Sequence, residues 1–432
     1  MESNPINVLL IGSGGREHSI ARALHQSPSL SQLFIAPGNP GTAALGKNID
    51  LNPDKHADVL DFVKANDIGL TVIGPEKPLV EGLTDALEEH GHAVFGPSAA
   101  AAQLEGSKSF AKDLMEKYDI PTAAGTSFER HEWAEAEVYF KNNTAWPIVL
   151  KADGLAAGKG VFICENREEA ARALEYLQND PALSAAAYRL VVEEFLQGEE
   201  VSVFALCDGS TARILTHAQD HKRIGDQDTG LNTGGMGAYS PTPVLSDAVL
   251  DEIRDEIILP VVNAMSKEGM PYRGVLYCGL MMVHGRPKVI EFNCRFGDPE
   301  CQVMLPALQS DIIELFLACV HQKLEDVQIS MDTEHFYTGV VVASGGYPRS
   351  YEKGMLIQGL PEDSPQVQVY HAGTRRRENG ELETSGGRVL CVVGRGKTLI
   401  DAINQAYDAV SNVSFDGMYY RRDIGAKGLR YF

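Results

Sequence analysis

The chain has 432 residues, 44% of them hydrophobic, enough for roughly two to four buried-core domains of ordinary soluble composition. A formal net charge of −21 speaks against a nucleic-acid partner, which would want a basic face. It also repels phosphates, so any nucleotide site has to be built from local Lys, Arg, backbone N–H groups and Mg²⁺. Seven cysteines form no even framework and no C-x-x-C pair, which points to a reducing, cytoplasmic setting. Met1-Glu-Ser-Asn-Pro5 is not a basic leader followed by an apolar core, and no run is long enough to cross a bilayer.

Asn7-Val-Leu-Leu-Ile11 reads as a short buried strand, followed by a glycine turn and a helix over Ser19–Gln26. Apolar strands and helical patterns then alternate: Leu33–Ile35, Ala57–Ala65, Leu70–Ile73, Leu79–His90 and Ala93–Phe95. This βαβ rhythm predicts a doubly wound parallel sheet in about the first hundred residues. A polar helix is expected over Ser107–Tyr118, then strands Pro147–Lys151 and Val161–Cys164 flanking a glycine loop. The pattern continues with a helix over Arg167–Asn179 and strands over Leu190–Phe195 and Glu200–Leu206. Val275–Val283 and Pro287–Phe292 read as a hairpin turning at His284-Gly285. From Phe336 short strands with Gly/Pro turns take over, with one helix near Ile400–Ser411.

Glu291-Phe-Asn-Cys-Arg-Phe-Gly-Asp-Pro-Glu300 is the most informative stretch. Glu291 and Asn293 stand two apart, so a strand puts both on one face. Two such oxygens suit Mg²⁺ and leave room for phosphate. Arg295, Asp298 and Glu300 then offer both signs of charge to a zwitterion or a phosphate. The bland alternative is a strand end running into a polar surface loop.

Four glycine loops add candidates. Gly12-Ser-Gly-Gly-Arg-Glu-His18 sits between strand and helix, where phosphates bind, but Glu17 replaces the third glycine of the dinucleotide fingerprint and disfavours a dehydrogenase. Lys151-Ala-Asp-Gly-Leu-Ala-Ala-Gly-Lys-Gly160 has the wrong spacing for a P-loop and fits a hairpin folding over phosphates. Asp220-His-Lys-Arg223 leads into a loop over Gly230–Pro241, unusually long for a plain connection; His217 and His221, four apart there, make a weak metal pair. Gly74-Pro-Glu76 follows a strand at its carboxyl end, where open sheets bind ligands. Arg375-Arg-Arg377 reads as a solvated charge run.

Together these segments resemble, end to end, the glycinamide ribonucleotide synthetase (phosphoribosylamine–glycine ligase) family of the ATP-grasp superfamily. The resemblance also rests on Pro37-Gly-Asn-Pro-Gly41, Glu193-Glu-Phe-Leu196, Gln219–Arg223, Thr233-Gly-Gly-Met-Gly237, Ser385-Gly-Gly-Arg-Val389 and Tyr420-Arg-Arg-Asp-Ile-Gly425. It implies a multidomain α/β and α+β chain: an N-terminal doubly wound domain over 1–104, an ATP-grasp domain over 105–328 with a lid at about 122–190, and a small mixed C-terminal domain over 335–432.

The resemblance further implies that Lys108, Lys151, Gly158, Lys159 and Lys222 serve the ATP phosphates. Glu193, Glu194, Phe195 and Leu196 would edge the adenine, and Glu200 the ribose. Glu291 and Asn293 would hold Mg²⁺ or Mn²⁺. The strand Tyr277–Met282 carries no acid, so phosphate oxygens and water complete that shell. Asp298, Pro299, Glu300 and Asp220 would receive glycine; Gly14, Arg16, Asn39, Gly41, Glu76 and Arg295 the phosphoribosyl amine. Lys151, Arg295 and Asp220 stand nearest the chemistry. The implied reaction joins glycine to 5-phosphoribosylamine through glycyl phosphate, in a monomer or small homo-oligomer with no nucleic-acid or membrane partner. Competing readings are another ATP-grasp ligase or carboxylase and a non-catalytic nucleotide-binding protein.

Overall fold

The computed structural model describes residues 5–154, 160–180 and 189–432. The N-terminal unit is a five-stranded parallel sheet in the order Lys47–Asn48, Leu30–Pro37, Ile6–Gly12, Ile68–Ile73, Val94–Phe95. Val8, Leu9, Leu10 and Ile11 are all fully buried because both faces of a parallel sheet are covered, hence the continuous apolar run. The strand order reverses at Ile6–Gly12, which places the Gly12 and Gly74 loops side by side at the switch point. The helix expected over Leu79–His90 is two helices, Glu76–Val80 and Leu83–Glu88. Gly82 between them has φ +87°, a left-handed conformation that ends one helix and starts the next.

A four-stranded antiparallel sheet follows, in the order Gly125–Glu129, Arg189–Glu194, Ile148–Ala152, Val161–Cys164. Helices Trp133–Asn142 and Arg167–Asn179 cover it, and Trp133, Phe140, Leu150, Leu174 and Leu190 form its own core. Each such side chain contributes about 1.5–3 kcal/mol by leaving water, so this small unit has a hydrophobic core of its own.

The largest sheet has nine strands. Its path runs Arg286–Asn293, Arg273–Val283, Glu199–Asp208, Ala212–Asp220, Gly237–Ser240, Phe336–Ser344, Arg388–Gly396, Val367–His371, with Met418–Tyr419 paired to Phe336–Ser344. The C-terminal strands thus extend the central sheet through the pairing of Gly237–Ser240 with Phe336–Ser344. The segment expected as one long loop holds the hairpin Arg223–Gly225/Thr229–Asn232 and then strand Gly237–Ser240. That strand carries little alternation of its own and is recruited by partners on both sides. The Arg375–Arg377 run is solvated as expected at exposed Arg375 and Arg376, while Arg375 Nε and Arg377 Nε also donate to buried Glu383 at 2.8 and 2.6 Å.

All seven cysteines are free and buried. Among the described residues no helix is long and apolar enough to cross a membrane.

Candidate active site

Two lysines are brought together by one buried aspartate. Ser107 caps helix Lys108–Lys117, and Asp153 accepts from the Ser107 hydroxyl (3.2 Å) and from the Ser109 amide (2.6 Å). Asp153 also follows Lys151 and Ala152 at the end of their strand, and its carbonyl accepts from the Lys108 amide at 3.1 Å. The helix start and the root of the glycine hairpin are therefore one joint, with Lys108 Nζ donating to the Gly154 carbonyl at 3.0 Å. Burial first, then the Lys151 charge, lowers the Lys108 pKa, while Glu291 opposes. Gly158 and Lys159, assigned to the phosphates from sequence, lie outside the described residues.

Lys151 reaches across to the large sheet. Its Nζ donates to the Ile290 carbonyl at 3.0 Å and pairs with Glu193 Oε2 at 2.5 Å. Glu193 also meets Lys112 at 3.2 Å and is only 7% exposed, so its carboxylate braces the lysines. Its neighbour Glu194 is exposed, accepts from the Ala124 amide at 2.9 Å and pairs with Lys288 at 3.0 Å. The chain leaves the ladder after Glu194; Phe195 is exposed and Leu196 buried on the strap to the next sheet. An isolated parallel bridge, Thr122 to Val289, ties this strap region to the strand bearing Glu291.

On the large-sheet side, Lys222 pairs with Glu200 and lies 3.3 Å from Glu291 Oε1. Lys222, outweighing burial, holds the Glu291 carboxyl down to about 2, so it is ionised at neutral pH. Burial disfavours the Lys222 ammonium, but Glu200 and Glu291 together raise its pKa well above the usual range. An anionic Glu291 and the amide oxygen of Asn293, two residues on along the strand, are hard oxygen donors that fit Mg²⁺. No cluster of three or more His, Cys, Asp or Glu suited to a metal occurs among the described residues. His217 instead accepts from the Thr242 amide at 3.2 Å, and neither ring nitrogen of buried His221 has a hydrogen-bond partner among the described residues.

From Asn293 a line of contacts leads to the N-terminal sheet. Arg295 Nη2 donates to Asn293 Oδ1 (3.3 Å) and to Glu105 Oε1 (2.7 Å), and its Nε stands 3.4 Å from Glu76 Oε2. Glu76 is in turn 3.9 Å from Arg16 Nη1, which also donates to the Phe296 carbonyl at 3.3 Å. Glu17 explains the departure from the dinucleotide fingerprint. Its carboxylate takes the Gly14 amide and Arg16 Nε, both at 2.6 Å, and so occupies the donors a pyrophosphate would need. Asn39 is wholly engaged in holding backbone: its amide nitrogen donates to the Ser13 and His371 carbonyls and its oxygen accepts from Gly41 and Thr42. Its side chain braces the backbone around the site.

Asp298 faces several cations. Burial works against its charge, yet Arg388 first and then Arg16 hold its pKa below the usual carboxylate range. The Asp298–Pro299 bond is cis, and Glu300 opens helix Glu300–Met304 just behind it. Burial raises the pKa of both Asp220 and Glu300; the Glu300 charge adds to the rise at Asp220, and the Asp298 charge to that at Glu300. Sequence reasoning missed Glu105, Asp153, Arg388 and His371, whose amide donates to His18 Nδ1 at 2.8 Å. Of these, Asp153 and Arg388 lay in segments singled out beforehand.

A lysine-bearing antiparallel sheet facing an acid-and-amide strand end of a second sheet, with a doubly wound domain alongside, is the ATP-grasp arrangement. The class is thus an ATP-grasp ligase. Family models for phosphoribosylglycinamide synthetase match in three successive parts: the N domain over residues 6–105, the ATP-grasp (A) domain over 106–301 and the C domain over 337–427. The chain belongs to the phosphoribosylglycinamide synthetase family.

Among its relatives, the phosphoribosylamine–glycine ligase of Synechocystis sp. is 50% identical, covering 98% of this chain and 100% of that one. The same-named protein of Vibrio parahaemolyticus is 46% identical, covering 98% and 99%. The crystal structure of the Thermotoga maritima phosphoribosylamine–glycine ligase superposes with a TM-score of 0.83 at 35% identity, covering 97% of this chain and 100% of that one. The biotin carboxylase domain of the Hydrogenobacter thermophilus 2-oxoglutarate carboxylase, solved with MgADP and bicarbonate, shares the fold: TM-score 0.74, 17% identity, 97% and 92% coverage.

Proposed function

We propose that this chain joins glycine to 5-phosphoribosylamine in the cytoplasm, with conversion of ATP to ADP and phosphate, as a step of purine biosynthesis. The observation that carries this reading is the continuous line from Lys222–Glu291 through Asn293–Arg295 to Glu76–Arg16. It puts a place for neutralising phosphate charge directly beside one lined with both signs of charge.

Lys108, Lys151 and Lys222 draw the ATP phosphates toward the strand end, leaving the adenine for the backbone of Glu194–Leu196 and the ribose for Glu200. Glu291 and Asn293 would hold Mg²⁺ or Mn²⁺, with phosphate oxygens and water completing the shell, and the ion would offset phosphate charge. Glycine's carboxylate is a poor acyl donor. One of its oxygens attacks the γ-phosphorus, the bond to ADP breaks, and glycyl phosphate forms. The amine of phosphoribosylamine then attacks the acyl carbon, the carbon–oxygen bond to phosphate breaks, and the amine proton leaves. Positioning and charge neutralisation suffice for both steps. Asp298 supplies the fixed negative charge for the glycine ammonium, with Asp220 and Glu300, whose pKa values burial raises, as further carboxyl groups of the pocket. Arg16, Glu76 and Arg295 receive the phosphoribosyl amine.

The test is ADP release by the purified protein with each substrate omitted in turn. Release should require glycine and phosphoribosylamine together. Release driven instead by bicarbonate would favour a carboxylase, the reading that the shared fold with biotin carboxylases keeps in view; ATP binding without turnover would favour a regulatory protein.

A further inference from the structure

Arg388 lies on the far side of the large sheet's path, in strand Arg388–Gly396 of the C-terminal part, yet its guanidinium enters the substrate end of the cleft. Nη1 donates to the carbonyls of Asp298 (2.6 Å) and Gly234 (2.5 Å), and Nη2 stands 3.2 Å from Asp298 Oδ2. The other Asp298 oxygen accepts from Gln302 Nε2 at 2.8 Å. One planar side chain therefore joins the Asp298–Pro299 turn to the glycine loop Thr233–Gly237.

That loop is shaped around the contact. Gly235 has φ +110°, and a Cβ there would come within 2.4 Å of Pro299 Cδ. A Cβ on Gly234 would sit 3.0 Å from the Arg388 guanidinium carbon. The Gly234 amide donates to the Tyr347 hydroxyl at 3.0 Å, and the Met236 carbonyl accepts from the Val341 amide at 3.0 Å, both from the C-terminal part. The central part holds the ends of the loop, with the Thr233 amide donating to the Lys222 carbonyl at 2.8 Å and the Met236 amide to the His221 carbonyl at 2.9 Å, while the three C-terminal residues grip its Gly234–Met236 middle. A guanidinium can do this and an ammonium cannot, because the fork presents separate, fixed N–H directions to a carbonyl pair and a carboxylate at once.

We propose that Arg388 is a positioning residue for glycine recognition: it sets the Asp298 carboxylate and the Gly234–Gly235 loop, so that the glycine pocket is complete only with the C-terminal sheet in place. The inference rests on the reading that Asp298 receives the glycine ammonium. It does not require Arg388 to touch substrate.

The experiment compares Arg388→Met, Arg388→Lys, Asp298→Asn and the double variant Arg388→Met/Asp298→Asn in steady-state kinetics, with thermal melts as the folding control. Arg388→Met should raise the glycine KM roughly tenfold or more, leave the ATP KM within about twofold, and be partly rescued by added guanidinium. Its acid limb of kcat/KM for glycine should move to higher pH, because Asp298 then keeps only Arg16 and Arg295 as neighbouring cations and protonates sooner. The double variant should cost little beyond Asp298→Asn alone. Should Arg388→Met fail to fold, Arg388→Lys serves instead, with a raised glycine KM and an acid limb left nearly where it was. A glycine KM that rises in Asp298→Asn but not in the folded Arg388 variant overturns the inference and spares the glycine reading. An unchanged glycine KM in Asp298→Asn removes the glycine reading itself. Equal losses in all kinetic constants with no pH shift would make Arg388 merely structural and also overturn it.

Discussion

Lys222 Nζ stands 3.3 Å from Glu291 Oε1, although the two residues are 69 positions apart, Lys222 just beyond strand Ala212–Asp220 and Glu291 near the end of Arg286–Asn293. The ammonium keeps the carboxylate ionised and leaves it directed at the space beside Asn293, where phosphate oxygens are proposed to gather.

Glu291→Gln should lower glycine-dependent ADP formation by orders of magnitude with the fold intact. It should also change acid stability. The folded carboxyl titrates at about 2, below the roughly 4.3 of an unfolded glutamate, so its stabilising contribution is present above that unfolded value. That contribution is lost as pH falls toward about 2. Melting temperatures measured from pH 6 down to pH 3 should therefore fall less steeply in Glu291→Gln than in the wild type.

Lys151→Ala should likewise reduce ADP formation by orders of magnitude. Among the described residues Glu193 then keeps Lys112 alone as an ion-pair partner, and a buried carboxylate short of a cation destabilises the small sheet. Circular dichroism should show native secondary structure with a lowered melting temperature; undiminished turnover in the purified variant would strip Lys151 of its role.

Asp298→Ala should act on glycine selectively. The glycine KM is expected to rise by more than about tenfold while the ATP KM stays near its wild-type value, since the ATP phosphates are assigned to Lys108, Lys151 and Lys222. Steady-state titration of each substrate separately decides this.

Asn39→Ala separates bracing from substrate contact. Its amide serves five backbone groups, those of Ser13, Gly14, His371, Gly41 and Thr42. Leaving these unpaired should cost about 1–3 kcal/mol in urea unfolding. A selective rise in the phosphoribosylamine KM with unchanged stability would instead return Asn39 to the list of direct substrate contacts.

Much of this architecture was legible beforehand because local rules suffice for it. The run Val8–Ile11, the glycine turn after it and the 3.6-residue pattern of Arg167–Asn179 each name their element without help from distant residues. The Glu291/Asn293 spacing needed only the two-residue period of a strand. Where reading failed, the deciding force was remote. Gly237–Ser240 is a strand because two neighbours hydrogen-bond to it. The helix expected over Leu79–His90 is split because one glycine adopts a left-handed conformation.

The order of residues alone was enough to settle the doubly wound start and the family and to nominate candidate cleft side chains, since each rests on a short pattern or a run of consecutive residues. Which groups meet was decided by packing. Asp153 joins Lys108 to the root of the glycine hairpin, Glu105 holds Arg295, and Arg388 crosses from the last third of the chain to Asp298. These contacts depend on sheet order and on which loops share an edge, and no local periodicity carries that information.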